Sequence, residues 1–159
     1  MTPIILAAET GSDITPELVS KYGIRIVPMH VTFDNETLDD GSFPPDQIRD
    51  YYHQTGRLPK TSGSTLDDFM KIFDEIHEEQ PEAQILYLAY SAVTTCSYQS
   101  AQIAAEGRDY ITAIDTKQVS VGQAARESGF KEVRWIQAAG VITTHGGPAA
   151  FGMAGLSVE

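Results

Sequence analysis

The stretch S-A-V-T-T-C-S-Y-Q-S-A-Q-I-A-A at 91 to 105 crowds Ser91, Thr94, Thr95, Cys96, Ser97 and Ser100 into the start of an Ala-rich helical run. The apolar A-Q-I-L-Y-L-A-Y at 83 to 90 precedes it and reads as a buried strand. A strand's carboxyl end feeding a helix N-terminus leaves unpaired backbone N–H groups, and with the helix dipole these attract negative charge. Small hydroxyl side chains let an anionic group come close and then hydrogen-bond it. A plain cap explains part of this, since Thr95 or Ser97 would cap the helix in any protein. One cap needs one such residue, so a carboxylate site and simple capping both stand at this point.

Cys96 brings a second chemistry, because a helix N-terminus lowers a thiol's pKa. A phosphatase-type loop needs an arginine shortly downstream, but position 102 is Gln and the next arginine is Arg108. A Cys–His hydrolase would need the fold to bring a partner such as His145. Catalysis by Cys96 is therefore not the expected reading. A small hydrolase or anionic-ester enzyme built on the Ser/Thr/Cys site is the alternative function.

A second hydroxyl-rich loop, Pro59-Lys60-Thr61-Ser62-Gly63-Ser64-Thr65, also leads into a helix. There Ser64 or Thr65 would serve as the cap, while Thr61 and Ser62 are candidates for the same carboxylate. His30, His53 and His77 have no partner spacing and read as surface or packing residues.

The elements that must position these loops alternate. P-I-I-L-A-A-E is a buried strand closed by T-G-S-D. Thr15-Pro16-Glu17 supplies a cap, an N1 proline and a first-turn acid, with Gly23 as the stop. I-R-I-V-P-M-H-V-T-F (24 to 33) reads as one strand, with Pro28 marking an edge or bulge. D-N-E-T-L-D-D-G-S-F-P-P is a polar turn region, and D-Q-I-R-D-Y-Y-H-Q-T-G is a short helix. Leu66, Phe69, Met70, Phe73 and Ile76 recur at helical spacing as a core stripe. D-Y-I-T-A-I-D-T is a further strand. This alternation predicts an α/β fold, a mostly parallel sheet flanked by helices, with the hydroxyl loops gathered beyond the strand carboxyl ends.

The 159 residues fit one main domain, and a 42% hydrophobic content suffices for a core. A net charge of −11 argues against nucleic acid and anionic membrane surfaces, which call for a basic face. Surface acidity otherwise reads as solubility, with no single carboxylate standing out. One cysteine excludes an internal disulfide framework, and no Cys/His cluster has zinc spacing. The apolar run at the N-terminus is too short for a signal peptide or membrane span, so a cytoplasmic location is expected.

Taken together, these segments resemble the DegV family, bacterial fatty-acid-binding proteins that present fatty acid to a fatty-acid kinase. A-E-T-G-S-D resembles the family's T-D-S-x-x-D, with Asp13 kept and Ala8 and Glu9 in place of Thr-Asp. P-K-T-S-G-S-T stands for P-K-T-S-Q-P-S, and S-A-V-T-T-C-S-Y-Q-S-A for S-S-x-L-S-G-T-Y-x-S-A. A-I-D-T-K-Q-V-S-V-G-Q is similar to D-S-x-x-x-S-x-G, and T-H-G-G-P places His145 at the family's C-terminal histidine.

The resemblance implies a non-catalytic protein that sequesters a long-chain fatty acid and presents its carboxylate to a partner kinase catalytic subunit. It implies no cofactor beyond that ligand. The implied carboxylate-binding residues are Thr61, Ser62, Thr95, Cys96, Ser97 and His145. Phe69, Met70, Phe73 and Ile103 are candidate walls for the acyl chain.

Family members carry a second domain, and the resemblance implies that most of it is missing here. On that reading residues 1–124 are expected to form the α/β first domain and 125–159 to resemble the end of the second. The K-E-V-R-W-I-Q-A and V-I-T-T-H-G-G-P-A-A strands of that remnant bury too little alone. Trp135 and Ile136 would be exposed, which predicts self-association through this segment or low order in it.

Overall fold

The computed structural model describes residues 2–12, 14–92 and 95–116. The expectations for His145, Trp135, Ile136, Asp13, Thr94 and the 125–159 segment therefore lie outside the described residues.

Four strands form an all-parallel sheet: β1 (Ile4–Glu9), β2 (Arg25–Val27), β6 (Gln84–Ala89) and β7 (Ile111–Asp115). Their order is β2-β1-β6-β7. Successive connections run from β1 outward to β2 and from β6 outward to β7. The strand order thus reverses between β1 and β6, the place where open α/β sheets leave a crevice at the strand carboxyl ends.

Three helices connect these strands. α1 (Pro16–Tyr22) is capped as expected: Thr15 Oγ1 accepts from the Leu18 N–H at 3.4 Å, and Gly23 closes the helix at φ 62°. α3 (Leu66–Glu79) opens with a capping box in which Thr65 Oγ1 accepts from the Asp68 N–H and Asp68 accepts from the Thr65 N–H. α4 (Ser97–Ala105) lies against α3. Phe69, Phe73 and Ile76 of α3, with Ala101 and Ala104 of α4, bury one sheet face through Ala7, Ile85 and Tyr87. Met70, expected in that core stripe, is 39% exposed instead. A helix stripe about 100° wide covers the sheet, and Met70 falls just outside it.

A second sheet departs further from expectation. β3 (His30–Phe33), β4 (Glu36–Asp39) and β5 (Lys60–Ser62) are antiparallel in the order β4-β3-β5. The 24 to 33 segment is therefore two strands in two sheets. Pro28 has no N–H to give to a ladder, so the chain leaves the parallel sheet there and re-enters pairing at His30. The polar D-N-E-T-L-D is a hairpin, with Phe33 opposite Glu36 and Asp34 at φ 50° in the two-residue turn. The K-T-S of the second hydroxyl loop pairs with β3 as β5.

α2 (Asp46–Thr55), closed by Gly56 at φ 70°, sets Ile48 into a small core with Met29, Val31 and Phe33. Among the described residues no helix is long and apolar enough to cross a membrane.

Candidate functional site

Three chain segments meet beside the reversal point. The first is the end of β1. Every second residue of a strand faces the same side, so Ala7 and Glu9 both look into the α3/α4 layer. Glu9 is completely buried. The Tyr87 O–H, rising from β6 next door, donates to its Oε1. Its Oε2 is buried with no hydrogen-bond partner among the described residues.

The second and third segments are the loops that lead into α3 and α4. The Ser64 N–H donates to Ser97 Oγ at 3.0 Å. Thr95 Oγ1 and Ser97 Oγ lie 2.8 Å apart, and the Ser97 N–H donates to Thr95 Oγ1 at 3.2 Å. Ser64 and Ser97 are fully buried, and Ser64 Oγ has no partner among the described residues. Gly63 lets the loops come this close. A Cβ there would run into Thr95 Oγ1 and stand 2.6 Å from Ser97 Oγ. Side chains larger than hydrogen are therefore excluded at Gly63 by space, not by backbone conformation.

Electrostatics single out Glu9. Burial pushes its carboxyl above the usual 4.5, and the Tyr87 and Ser97 hydroxyls draw it back only in part. The Tyr87 phenol is itself driven up, by burial first and then by the adjacent Glu9, so it keeps its proton and acts as donor. Glu9 corrects the expectation that no carboxylate stands out. Its signal in the sequence was an acid closing an otherwise apolar I-I-L-A-A-E strand, a place where an unpaired charge is costly.

The expected residues divide. Thr95 and Ser97 belong to the cluster, but neither is the N-cap. That position is Cys96, whose side chain makes no capping hydrogen bond and is exposed. Thr61 and Ser62 sit on β5 opposite Val31 and His30, half-buried and exposed respectively. Gly63 and Ser64, next along, make the contacts to Thr95 and Ser97.

Among the candidate wall residues, Phe69 and Phe73 pack with Tyr87 at centroid distances of 4.9 and 6.4 Å. Ile103 is 54% exposed. His30, expected to lack partners, bridges Asp39 of β4 at 3.1 Å and Asp68 of α3 at 2.8 Å, tying the second sheet to the first layer.

Chemically, the cluster offers hydroxyl and backbone N–H donors around one buried carboxyl group. Among the described residues, the contacts within it involve no cation. That suits a singly charged, hydrogen-bonding head group better than a phosphate, which normally recruits Arg or Lys.

Residues 4–134 match the family described as "Uncharacterised protein, DegV family". A DegV domain-containing protein of Clostridium acetobutylicum is 23% identical over 128 residues, 79% of this chain and 45% of that one. A fatty acid-binding protein of Thermotoga maritima is 25% identical over 115 residues, 70% of this chain and 40% of that one. Among solved structures, the fatty-acid-binding DegV family protein of Thermus thermophilus superposes with a TM-score of 0.66 at 27% identity. That match covers 81% of this chain and 49% of the other. The chain thus spans about half the length of these relatives.

Proposed function

The chain belongs to the DegV family, and from that premise we propose that it binds a long-chain fatty acid non-catalytically and presents the carboxylate to a partner kinase. The observation that carries this reading is the Ser64–Ser97–Thr95 hydroxyl cluster at the strand reversal, closed over Gly63. A carboxylate is costly to bury unless its oxygens are hydrogen-bonded, and hydroxyl and N–H donors satisfy it without a counter-ion. Thr61, Ser62 and His145 complete the proposed head-group set. The acyl chain then supplies most of the affinity, at about 0.8 kcal/mol per buried methylene. The fatty-acid binding described for the Thermotoga and Thermus relatives supports the same reading.

The test is mass spectrometry of the protein purified from bacteria, with co-purified fatty acid expected, followed by oleate binding to Thr95→Ala and Ser97→Ala. Each variant is expected to weaken binding by about 1 to 3 kcal/mol, the range for a hydrogen bond to a charged group. Protein that carries no fatty acid and takes up no added oleate ends the proposal. Cys96→Ala separates the hydrolase alternative: ester turnover that disappears with the thiol would favour an enzyme, whereas unchanged oleate binding fits a spacer.

A further inference from the structure

Glu9 is a poor residue to leave beside a site for another carboxylate. It is fully buried, it faces the Ser97 hydroxyl of the cluster, and its Oε2 has no partner among the described residues. Two ionised carboxylates are costly to hold in one buried cluster whose described contacts include no cation, because like charges at such range force one group to keep its proton. The Tyr87 phenol occupies Oε1. Oε2 is therefore the oxygen that can carry a hydrogen and point it at a second acceptor. Ser64 Oγ is likewise buried with no partner among the described residues, so both atoms have hydrogen-bonding capacity left unused.

We propose that Glu9 acts as a neutral carboxylic acid that donates its Oε2 hydrogen to the bound ligand's carboxylate, so that head-group binding is coupled to uptake of one proton. This rests on the carboxylate-site reading given above. It adds a specificity device: the site accepts an anionic oxygen acceptor only while Glu9 holds its proton. Burial, which already favours the neutral acid, supports the assignment.

Among the other titratable groups on the elements around Glu9, Tyr98 of α4 is half-buried against the same core, and His77 of α3 stacks on Tyr110 with Nδ1 buried. Tyr87 of β6 is the donor already described. Cys96 at the head of α4 is exposed. Asp68 of α3 is held by Thr65 and His30, and Asp115 of β7 accepts from the Ala92 N–H. Val27, which neighbours Glu9 on β2, contributes no charge.

The experiment measures decanoate and decanol affinity from pH 6 to 9 for the wild type, Glu9→Gln and Tyr87→Phe. Calorimetry in buffers of different ionisation enthalpy counts the protons. Decanoate is ionised throughout, so its own titration does not interfere. For the wild type, affinity for decanoate is expected to fall toward tenfold per pH unit once Glu9 ionises, with proton uptake approaching one. Decanol, with a neutral head group, should show no such slope. Glu9→Gln keeps an N–H donor at every pH and should bind decanoate with a flat profile. Tyr87→Phe removes a hydrogen bond that favours the ionised acid, so its affinity loss should begin at higher pH. Decanoate binding that is flat in the wild type, or equally sloped in Glu9→Gln, overturns the proton coupling and leaves the head-group reading intact. Failure of all three proteins to bind decanoate overturns the head-group reading and this inference with it.

Discussion

The Tyr87 hydroxyl donates to Glu9 Oε1 across the gap between β6 and β1, at the place where the parallel sheet reverses its strand order. A phenol that must keep its proton and a carboxyl raised by burial thus stand beside the Ser97 hydroxyl.

That pair has a consequence for the unliganded protein. The folded Glu9 carboxyl titrates above its ordinary 4.5, so the unfolded chain gives up this proton first. Its contribution to stability is complete below that value and is lost as pH rises through the folded titration. Glu9→Gln removes the linkage. Urea unfolding from pH 4 to 9 is expected to show the wild type losing stability relative to Glu9→Gln as pH rises. Parallel curves for the two proteins would show that Glu9 is not held neutral by the fold.

Gly63 is needed for the space it leaves. A Cβ added there would stand 2.6 Å from Ser97 Oγ and closer still to Thr95 Oγ1, so Gly63→Ala must push the two loops apart. Overpacking of this kind costs about 1 to 3 kcal/mol. The same displacement should lengthen the Ser64–Ser97 hydrogen bond and weaken oleate binding. If Gly63→Ala retains wild-type stability and affinity, the close approach of the loops is not what builds the site.

Much of the fold was legible because local chemistry determined it. Thr15, Pro16 and Gly23 carry their own start and stop, and Phe69, Phe73 and Ile76 repeat at helical spacing onto a real core. What escaped were features set by pairing over a distance. Pro28 signalled an interruption, but whether the chain re-enters the same sheet or another depends on where β5 lies, some thirty residues on. Asp34-Asn35 is a hairpin turn whose short flanking strands carry little apolar pattern. The hydroxyl-rich loops pointed to Thr95 and Ser97, which the fold brings to within 2.8 Å of each other. Glu9 and Tyr87 became visible as a pair only once β1 and β6 were set side by side, with Ala7 opposite Tyr87.

The core stripe of α3 gives a graded test. Phe73 is fully buried between Phe69 and Tyr87, with centroids 5.7 and 6.4 Å away. Phe73→Ala leaves a cavity in a packed aromatic cluster and is expected to cost about 3 to 5 kcal/mol. Met70 lies one turn away and is 39% exposed, so Met70→Ala should change stability by about 0.5 kcal/mol or less. Thermal and urea unfolding of both variants decides the matter. A large loss on truncating Met70 would mean that its side chain is covered in the folded protein.

The acid limb of stability should belong to Asp68. Its carboxylate accepts from the Thr65 N–H at 2.7 Å, the Thr65 hydroxyl at 2.6 Å and the His30 ring at 2.8 Å. Burial pushes this carboxyl up, but the Thr65 donors and then His30 outweigh it and hold the group below its ordinary 3.8. A depressed carboxyl contributes stability that is present above the unfolded value and lost as pH falls through the folded one. Asp68→Asn, which keeps the shape and removes the charge, should abolish this part of the acid loss. At neutral pH Asp68→Ala is expected to destabilise by about 1 to 2 kcal/mol, since the capping box and the link to His30 go together. Because His30 also contacts Asp39 of β4, the damage should extend beyond α3. Hydrogen exchange is then expected to quicken in β3 and β4 as well as in the first turn of α3. Faster exchange confined to that first turn would show that His30 does not couple the two sheets through Asp68.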